Sequence, residues 1–465
     1  MTIDRRNLLK SGSAAFVAFS ALSAGSLVRA YSANSGKTLV PDPSGLLDLP
    51  EGFTYRMLTK TGQPMSDGFT TPGRPDGMAC FTHPTQPGHW VLVRNHENFS
   101  NVTTGLPFGD GNALLGRLDK ALIYDERGGD LPFFGGTTNV VIDAGSGQVV
   151  RDNLSLIGTV GNCAGGATPW GSWLTCEEQP LKTGEEGAQK AHGFVYEVPA
   201  TATGPVTPVA LTAMGRFAHE ACSVDPDSGV VYMTEDSRSG LFYRYIPDVP
   251  GKLARGGRLQ ALAIEGWDSA DTRNYAADWS LPGARKIAVG ERLAIRWIDM
   301  DDVEAPNADL AQRGLKAGAA MFTRGEGLAY GSRGDGERAH YFTCTEGGRA
   351  GTGQVWKLEP GKNGAADVLS LIYESPSADT LDLCDNLAVS PWGDLIICED
   401  GRGDNFLRAL TPDGAIYDLA RNAHELHAEF TGACFSPDGS TLFVNVQVPG
   451  YTYAITGPWE TLRAA

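Results

Sequence analysis

The sequence predicts an all-β fold, a six-bladed β-propeller with loop insertions, and three observations carry that expectation. Gly (59 residues) and Pro (27) are abundant, and no long amphipathic helical stretch follows the N-terminal region, a composition that favours short strands and turns. An alternating apolar run ending on acidic or amide residues occurs six times. Each run is preceded by a short strand of small residues that begins at or near an acid or amide, and strand–turn–strand repeated six times is a propeller pattern. The chain has 465 residues of which 42% are hydrophobic, enough to bury a sizeable core.

In chain order, residues 1–30 come first, with paired Arg5 and Arg6, an apolar stretch from about Ala14 to Leu27 and a small residue at Ala30. They read as a twin-arginine signal peptide, which makes the twin-arginine translocase a partner during export and the periplasm or the exterior the destination. Residues 31–465 remain as a single propeller domain with a metal cluster at the central channel. The whole chain carries a formal charge of −17; removing residues 1–30 takes away four basic residues and one acidic, leaving 34 basic against 54 acidic and a charge of −20. Such a surface repels nucleic acid and anionic membrane, so neither is an expected partner, and the domain is expected to be a monomer. Eight cysteines sit mostly inside apolar runs, where they behave as small hydrophobes. Cys163, in "GNCAGG", is the exception.

The six repeats follow. "DGMACFTHPTQPG" (76–88) leads into "HWVLVRNHEN" (89–98), "NCAGGATPWG" (162–171) into "GSWLTCEE" (171–178), and "EACSVDPDSG" (220–229) into "GVVYMTEDS" (229–237). "EGLAYGSRGDG" (326–336) leads into "AHYFTCTEGG" (339–348), "DNLAVSPWG" (385–393) into "GDLIICEDG" (393–401), and "TGACFSPDG" (431–439) into "STLFVNVQ" (440–447). The small-residue strand of each repeat is expected to line the axis, where six strands crowd together. Spacing is uneven, 53 residues from Glu346 to Glu399 against 111 from Glu235 to Glu346, which assigns long insertions to 250–320 and 106–150. "TPWG" (168–171) is expected to be the turn between inner and second strands, with Trp170 and Trp173 packing between blades.

The residues opening the inner strands would meet at one mouth of the channel: Asp76, Asn162 with Cys163, Glu220, Glu326, Asp385, and Thr431 with Glu429 two residues earlier. Carboxylates that close cannot all ionise without cations between them, so the constellation calls for metal or raised pKa values. Carboxylates select hard ions such as calcium or magnesium, and a thiolate from Cys163 adds a preference for a softer or redox-capable metal. Asn95, His96, Glu97, Glu177, Glu178, Glu399 and Asp400, at the ends of the second strands, are candidates to complete ligand shells or support them.

The stretches "NCAGGATPWGSWLTCEE", "GRFAHEA", "VYMTEDS", "FTRGEGLAY", "DNLAVSPWGDLIICEDG" and "EFTGACFSPDGSTLFVNVQVPGYTYAITGPW" resemble the PhoX-type alkaline phosphatases, from about residue 70 to 459. The resemblance implies a six-bladed propeller, twin-arginine export, and a calcium and iron (Ca2+, Fe3+) cluster that hydrolyses small phosphate esters without a serine nucleophile. It implies Cys163, Glu220 and Glu326 as iron ligands, Glu178, Asp385 and Glu429 as calcium ligands, and Arg324 in "FTRGEG" as the phosphate-binding arginine. Arg324 and Glu178 are the expected catalytic residues, with Asp76 a further metal ligand from its place in the inner ring. A calcium-dependent lactonase-like hydrolase and a non-catalytic calcium-binding propeller are the alternatives, and neither needs the thiolate of Cys163.

Overall fold

A computed structural model describes residues 38–129, 131–275, 285–333, 337–362 and 365–462; the export signal expected at 1–30 lies outside them. The described residues are almost all strand, turn and loop, with one α-helix, Leu310–Lys316. Among them no helix is long and apolar enough to cross a membrane.

The arrangement is propeller-like. The six predicted small-residue strands all form, as Pro75–Thr82, Asn162–Ala167, His219–Val224, Gly325–Ser332, Cys384–Val389 and Phe430–Phe435. Each lies beside the next, and the sixth lies beside the first, so they close a ring. Each pairs antiparallel with the apolar run that follows it: His89–His96, Ser172–Glu177, Val231–Glu235, Arg338–Cys344, Leu395–Glu399 and Thr441–Val446. The sheets built outward from these hairpins have four, three, nine, six and four strands; the nine-stranded sheet spans the third and fourth hairpins through Arg292–Asp299, which pairs with Val368–Glu374. The segment Thr54–Lys60 completes the last sheet by pairing with Tyr451–Thr456, so the two ends of the domain are tied by a ladder of hydrogen bonds.

The stretches expected to be insertions are partly blade. Residues 106–150 contain Gly135–Asp143, the third strand of the first sheet, and 250–320 contain Gly257–Ile264, the fourth strand of the third hairpin's sheet, together with Arg292–Asp299 and the helix. Their extra length hid the strand periodicity. Apolar residues fill the spaces between neighbouring sheets: Ala79, Val91, Val93, Trp173 and Tyr196 between the first and second, and Leu58, Met78, Trp90, Leu92 and Phe443 between the last and the first. Each fully buried Val, Leu, Met or Phe among them contributes about 1.5–3 kcal/mol. Trp170 packs on the other side of its sheet, against the cluster containing Cys222 and Val231.

Small residues line the ring because backbones meet there. A Cβ on Gly77 would lie 2.5 Å from Ala164 Cα, on Gly166 2.1 Å from the Cys222 carbonyl, and on Gly432 2.3 Å from the Asp76 carbonyl. Side chains of the second strands tie the ring together: Asn95 Nδ2 donates to the carbonyls of Cys163 (2.9 Å) and Ala164 (2.7 Å), Thr234 to Glu326 (2.6 Å), Thr343 to Asp385 (2.7 Å) and Asn445 to Asp76 (2.7 Å). Asn95, one of the candidates to support a ligand shell, is thus spent on holding the next inner strand.

Strand alternation explains the paired acids at the strand ends, since successive side chains point to opposite faces. The last residue of the strand turns into its own sheet. Glu177 is fully buried there, accepting from the amides of Val160 (3.0 Å), Gly193 (2.8 Å) and Phe194 (3.2 Å), with its Oε1 2.6 Å from His192 Nδ1. Glu235 is held by Leu241 N and Tyr243 Oη, and Glu399 by Arg408 Nε at 2.7 Å. His192 Nε2 lies 3.2 Å from Asp125 Oδ2. Burial alone would lower the His192 pKa, but Glu177 and Asp125 push it up to about 9.

Two outcomes follow from these contacts. Gly432 and Gly88 both have positive φ (63° and 77°), but only Gly432 has backbone within reach of an added Cβ; Gly432→Ala is expected to cost about 1–3 kcal/mol more than Gly88→Ala in urea unfolding. For His192, a folded pKa raised above the unfolded value gives stability that is complete below about pH 6.5 and is lost as pH rises through about 9. The stability gap between wild type and His192→Gln is therefore expected to be widest below pH 6.5 and to shrink toward pH 10; thermal melts showing a constant gap would refute the ion-pair assignment.

Candidate metal centre

The same irregularity occurs in all six inner strands. Pairing with the second strand breaks between Pro75 and Met78, Asn162 and Gly165, His219 and Cys222, Gly325 and Leu328, Cys384 and Leu387, and Thr431 and Cys434. A bulge of this kind re-aims a side chain that regular pleating would send elsewhere. The first residue of each bulge is Asp76, Cys163, Glu220, Glu326, Asp385 and, in the sixth repeat, Gly432. Five chemistry-bearing side chains thus occupy one structural position. In the second repeat Cys163 holds that position, while Asn162 accepts from Thr159 Oγ1 (2.6 Å) and donates to Thr175 Oγ1 (2.9 Å).

A backbone clasp repeats alongside the bulge. The residue following each second strand donates its N–H to the carbonyl of the residue shortly before the inner strand's bulge: Glu97 to Arg74 (2.9 Å), Glu178 to Gly161 (2.8 Å), Asp236 to Ala218 (3.1 Å), Thr345 to Arg324 (3.0 Å), Asp400 to Leu383 (3.0 Å) and Gln447 to Glu429 (3.3 Å). Four of the acceptors have positive φ: Arg74 (49°), Gly161 (56°), Arg324 (47°) and Leu383 (50°). For the three that are not glycine this conformation costs on the order of 1–3 kcal/mol each. The clasp supplies a second set of inward-facing positions, Glu97, Glu178, Asp236, Thr345, Asp400 and Gln447, one residue beyond the acids that turn into the sheets.

Two compact groups of ligand atoms result, Glu97 with Cys163 and Glu178, and Glu220 with Glu326 and Asp385; within each, the atoms lie within 4.8 Å of one another. Cys163 Sγ, 3.2 Å from Glu220 Oε1, links the two. Of the expected site residues, Cys163 and Glu178 fall in the first group, and Glu220, Glu326 and Asp385 in the second. Asp76 stands outside both and shares the Gln447 amide with Glu97, Nε2 being 3.1 Å from Asp76 Oδ2 and 2.6 Å from Glu97 Oε2. Glu429 is half-buried and accepts the clasp bond of the sixth repeat on its carbonyl. Arg324 grips both oxygens of Asp236 (3.0 and 3.1 Å) and pairs with Glu326 Oε1 at 2.7 Å.

The electrostatics are those of crowded like charges. Burial first, then Asp76, raises Glu97 to about 8; burial, then Asp400, raises Asp385 to about 7; burial raises Asp400 to about 6. Asp76, Glu178, Glu220, Glu326 and Glu429 are all pushed well above the carboxylate range, by burial and then by an acidic neighbour, and burial followed by Asp76 raises the Cys163 thiol. Glu220 Oε2 is buried with no hydrogen-bond donor among the described residues. An orphaned carboxylate oxygen inside a ring of acids is what a cation would satisfy, so the donor set fits metal. Carboxylates supply hard ligands and Cys163 a soft one.

Asp236 escaped sequence reasoning. Aligning "TEDS" with "TCEEQ" and "CEDG" would have found it, because in each the second acid takes the inward clasp position. In the fourth repeat the strand ends at Cys344, Thr345 takes that position, and Glu346 falls one residue beyond it, bonded to Arg238 at 2.8 and 2.9 Å.

A sequence model of the alkaline phosphatase PhoX family matches residues 34–146 and 134–450. A search of curated proteins finds no match. Among solved structures, Pseudomonas fluorescens PhoX in complex with vanadate, a transition state analogue, superposes with a TM-score of 0.65 at 19% identity, over 92% of this chain and 98% of that one. A gluconolactonase from Xanthomonas campestris reaches a TM-score of 0.41 at 12% identity, over 91% of this chain and 99% of that one, too low to carry an argument. The first likeness speaks for the fold, and the family model, which runs through nearly all of the described residues, speaks for descent: the chain belongs to the PhoX family of alkaline phosphatases.

Proposed function

We propose that the chain is an exported, metal-dependent phosphatase that hydrolyses small phosphate esters at the mouth of a six-bladed propeller, working as a monomer in the periplasm or outside the cell. The observation that carries this, beside family membership, is the bulge repeated six times with Asp76, Cys163, Glu220, Glu326 and Asp385 at one position. Cys163, Glu220 and Glu326 would hold iron, a set supported by the Cys163–Glu220 contact and by the grouping of Glu220 with Glu326. Glu178, Asp385, Glu429 and Asp76 would hold calcium. When bound, such cations neutralise phosphate oxygens and stabilise the charge that develops in the transition state.

The chain's own residues orient the ester. Arg324 offers a planar fork suited to phosphate oxygens, and Asp236 fixes that fork by a two-point contact. Its charge is offset by Asp236 and Glu326, so this arginine alone does not make the mouth attractive to anions; bound cations must. Glu178, on the chain next to buried Glu177, is anchored by the Gly161 clasp. A lactonase or an inert scaffold would have no use for the thiol of Cys163 at the centre.

Elemental analysis of natively exported protein, paired with aryl phosphate hydrolysis at alkaline pH, is the direct test: iron and calcium with turnover support the proposal, and calcium alone without phosphate release counts against it. Cys163→Ser is expected to lose iron while keeping calcium. Arg324→Ala is expected to lower kcat/KM by about 10²–10³, and Arg324→Lys to recover little of it, since a point charge cannot replace the fork.

A further inference from the structure

Arg74 and Arg324 are the same residue in two repeats. Each accepts the clasp hydrogen bond on its carbonyl, from Glu97 and Thr345 respectively (2.9 and 3.0 Å), and each holds the left-handed conformation (φ 49° and 47°) that a side chain larger than glycine adopts only under constraint. They belong to the first and fourth of six inner strands that close a ring, so they approach the acidic mouth from opposite sides. Their partners differ. Arg324 is neutralised by two carboxylates, Asp236 and Glu326. Arg74 Nη1 donates to a neutral amide oxygen, Gln447 Oε1, at 3.0 Å; its charge also acts on Glu97, but it forms no ion pair with a carboxylate among the described residues. That same amide turns its nitrogen to Asp76 and Glu97, so its orientation is fixed by a cation on one side and two acids on the other.

From this we infer that Arg74 is a second substrate-binding arginine, facing Arg324 across the mouth and taking anionic oxygens of the phosphate ester. A guanidinium hydrogen-bonded to a neutral group, with one acid near it rather than two in contact, keeps more of its charge for an incoming anion than Arg324 does, and exchanging an amide oxygen for a phosphate oxygen strengthens the bond. Strain at Arg74 has the same use as at Arg324: it aims a long side chain at one place. The inference rests on the phosphatase proposal for what the anion is, and the residue pair for where it binds.

The test measures equilibrium binding of phenylphosphonate and 4-carboxyphenylphosphonate, neither of which can be hydrolysed, to metal-loaded wild type, Arg74→Ala, Arg74→Lys and Gln447→Glu by calorimetry. Hydrolysis of phenyl phosphate is followed separately. Arg74→Ala is expected to weaken binding by about tenfold to hundredfold, as for the loss of a charge-assisted hydrogen bond, and Gln447→Glu to weaken it in the same direction by giving Arg74 a carboxylate partner. An equal loss for both ligands places Arg74 on the phosphoryl oxygens; a loss confined to the carboxylated ligand places it on a second anionic group. Unchanged binding of both ligands, with metal content or melting temperature altered instead, overturns the inference and leaves Arg74 as a support for Gln447. Because binding is read without turnover, a protein that binds phosphonates through Arg74 but hydrolyses nothing would sink the phosphatase proposal and spare this one.

Discussion

Repulsion among buried like charges is the constraint around which the rest of this molecule is organised. Asp76, Glu97, Glu178, Glu220, Asp236, Glu326, Asp385, Asp400 and Glu429 converge with Cys163 on the mouth of a ring, and the arginines at hand, Arg74 and Arg324, are too few to balance them. Such an arrangement is unfavourable for the polypeptide alone, which either protonates its acids or takes up cations. Either way, the fold must hold these carboxylates and the thiol close to each other against their mutual repulsion.

It does so chiefly with backbone, reinforced by a few side chains. The bulge and the clasp both recur in all six repeats, and both are fixed by main-chain hydrogen bonds. Side chains of the second strands, Asn95, Thr234, Thr343 and Asn445, lock the carbonyls of the neighbouring inner strand. Glycines at the ring allow that approach, because a Cβ there would sit inside the next strand. The inward-facing positions are set by paired strands and main-chain bonds, which suits a site that has to be preorganised.

Alternation along a strand divides the paired acids into two kinds. Glu177, Glu235 and Glu399 point into the sheets and are satisfied by amides, a tyrosine, a histidine and an arginine. Glu178, Asp236 and Asp400 point to the mouth. One doublet therefore both anchors its strand and furnishes the site, and an acid's place in the doublet, first or second, decides which it does.

Much of this could be read from the sequence. The repeated strand–turn–strand pattern yielded all six hairpins, and the inner-strand acids Asp76, Glu220, Glu326 and Asp385 with Cys163 were identifiable because small-residue strands opening on polar groups have few other uses. The PhoX motifs were recognisable from contiguous residues alone. Tertiary structure decided what depends on half a strand's register: that Cys163 and not Asn162 takes the bulge position, that Thr345 takes the clasp position of the fourth repeat and Glu346 lies one residue past it, and that Arg74 matches Arg324. Composition and periodicity are properties of neighbouring residues and survive in the sequence, whereas the direction in which a side chain points at a bulge is fixed by hydrogen bonds to residues tens or hundreds of positions away, and only the closed ring brings those together.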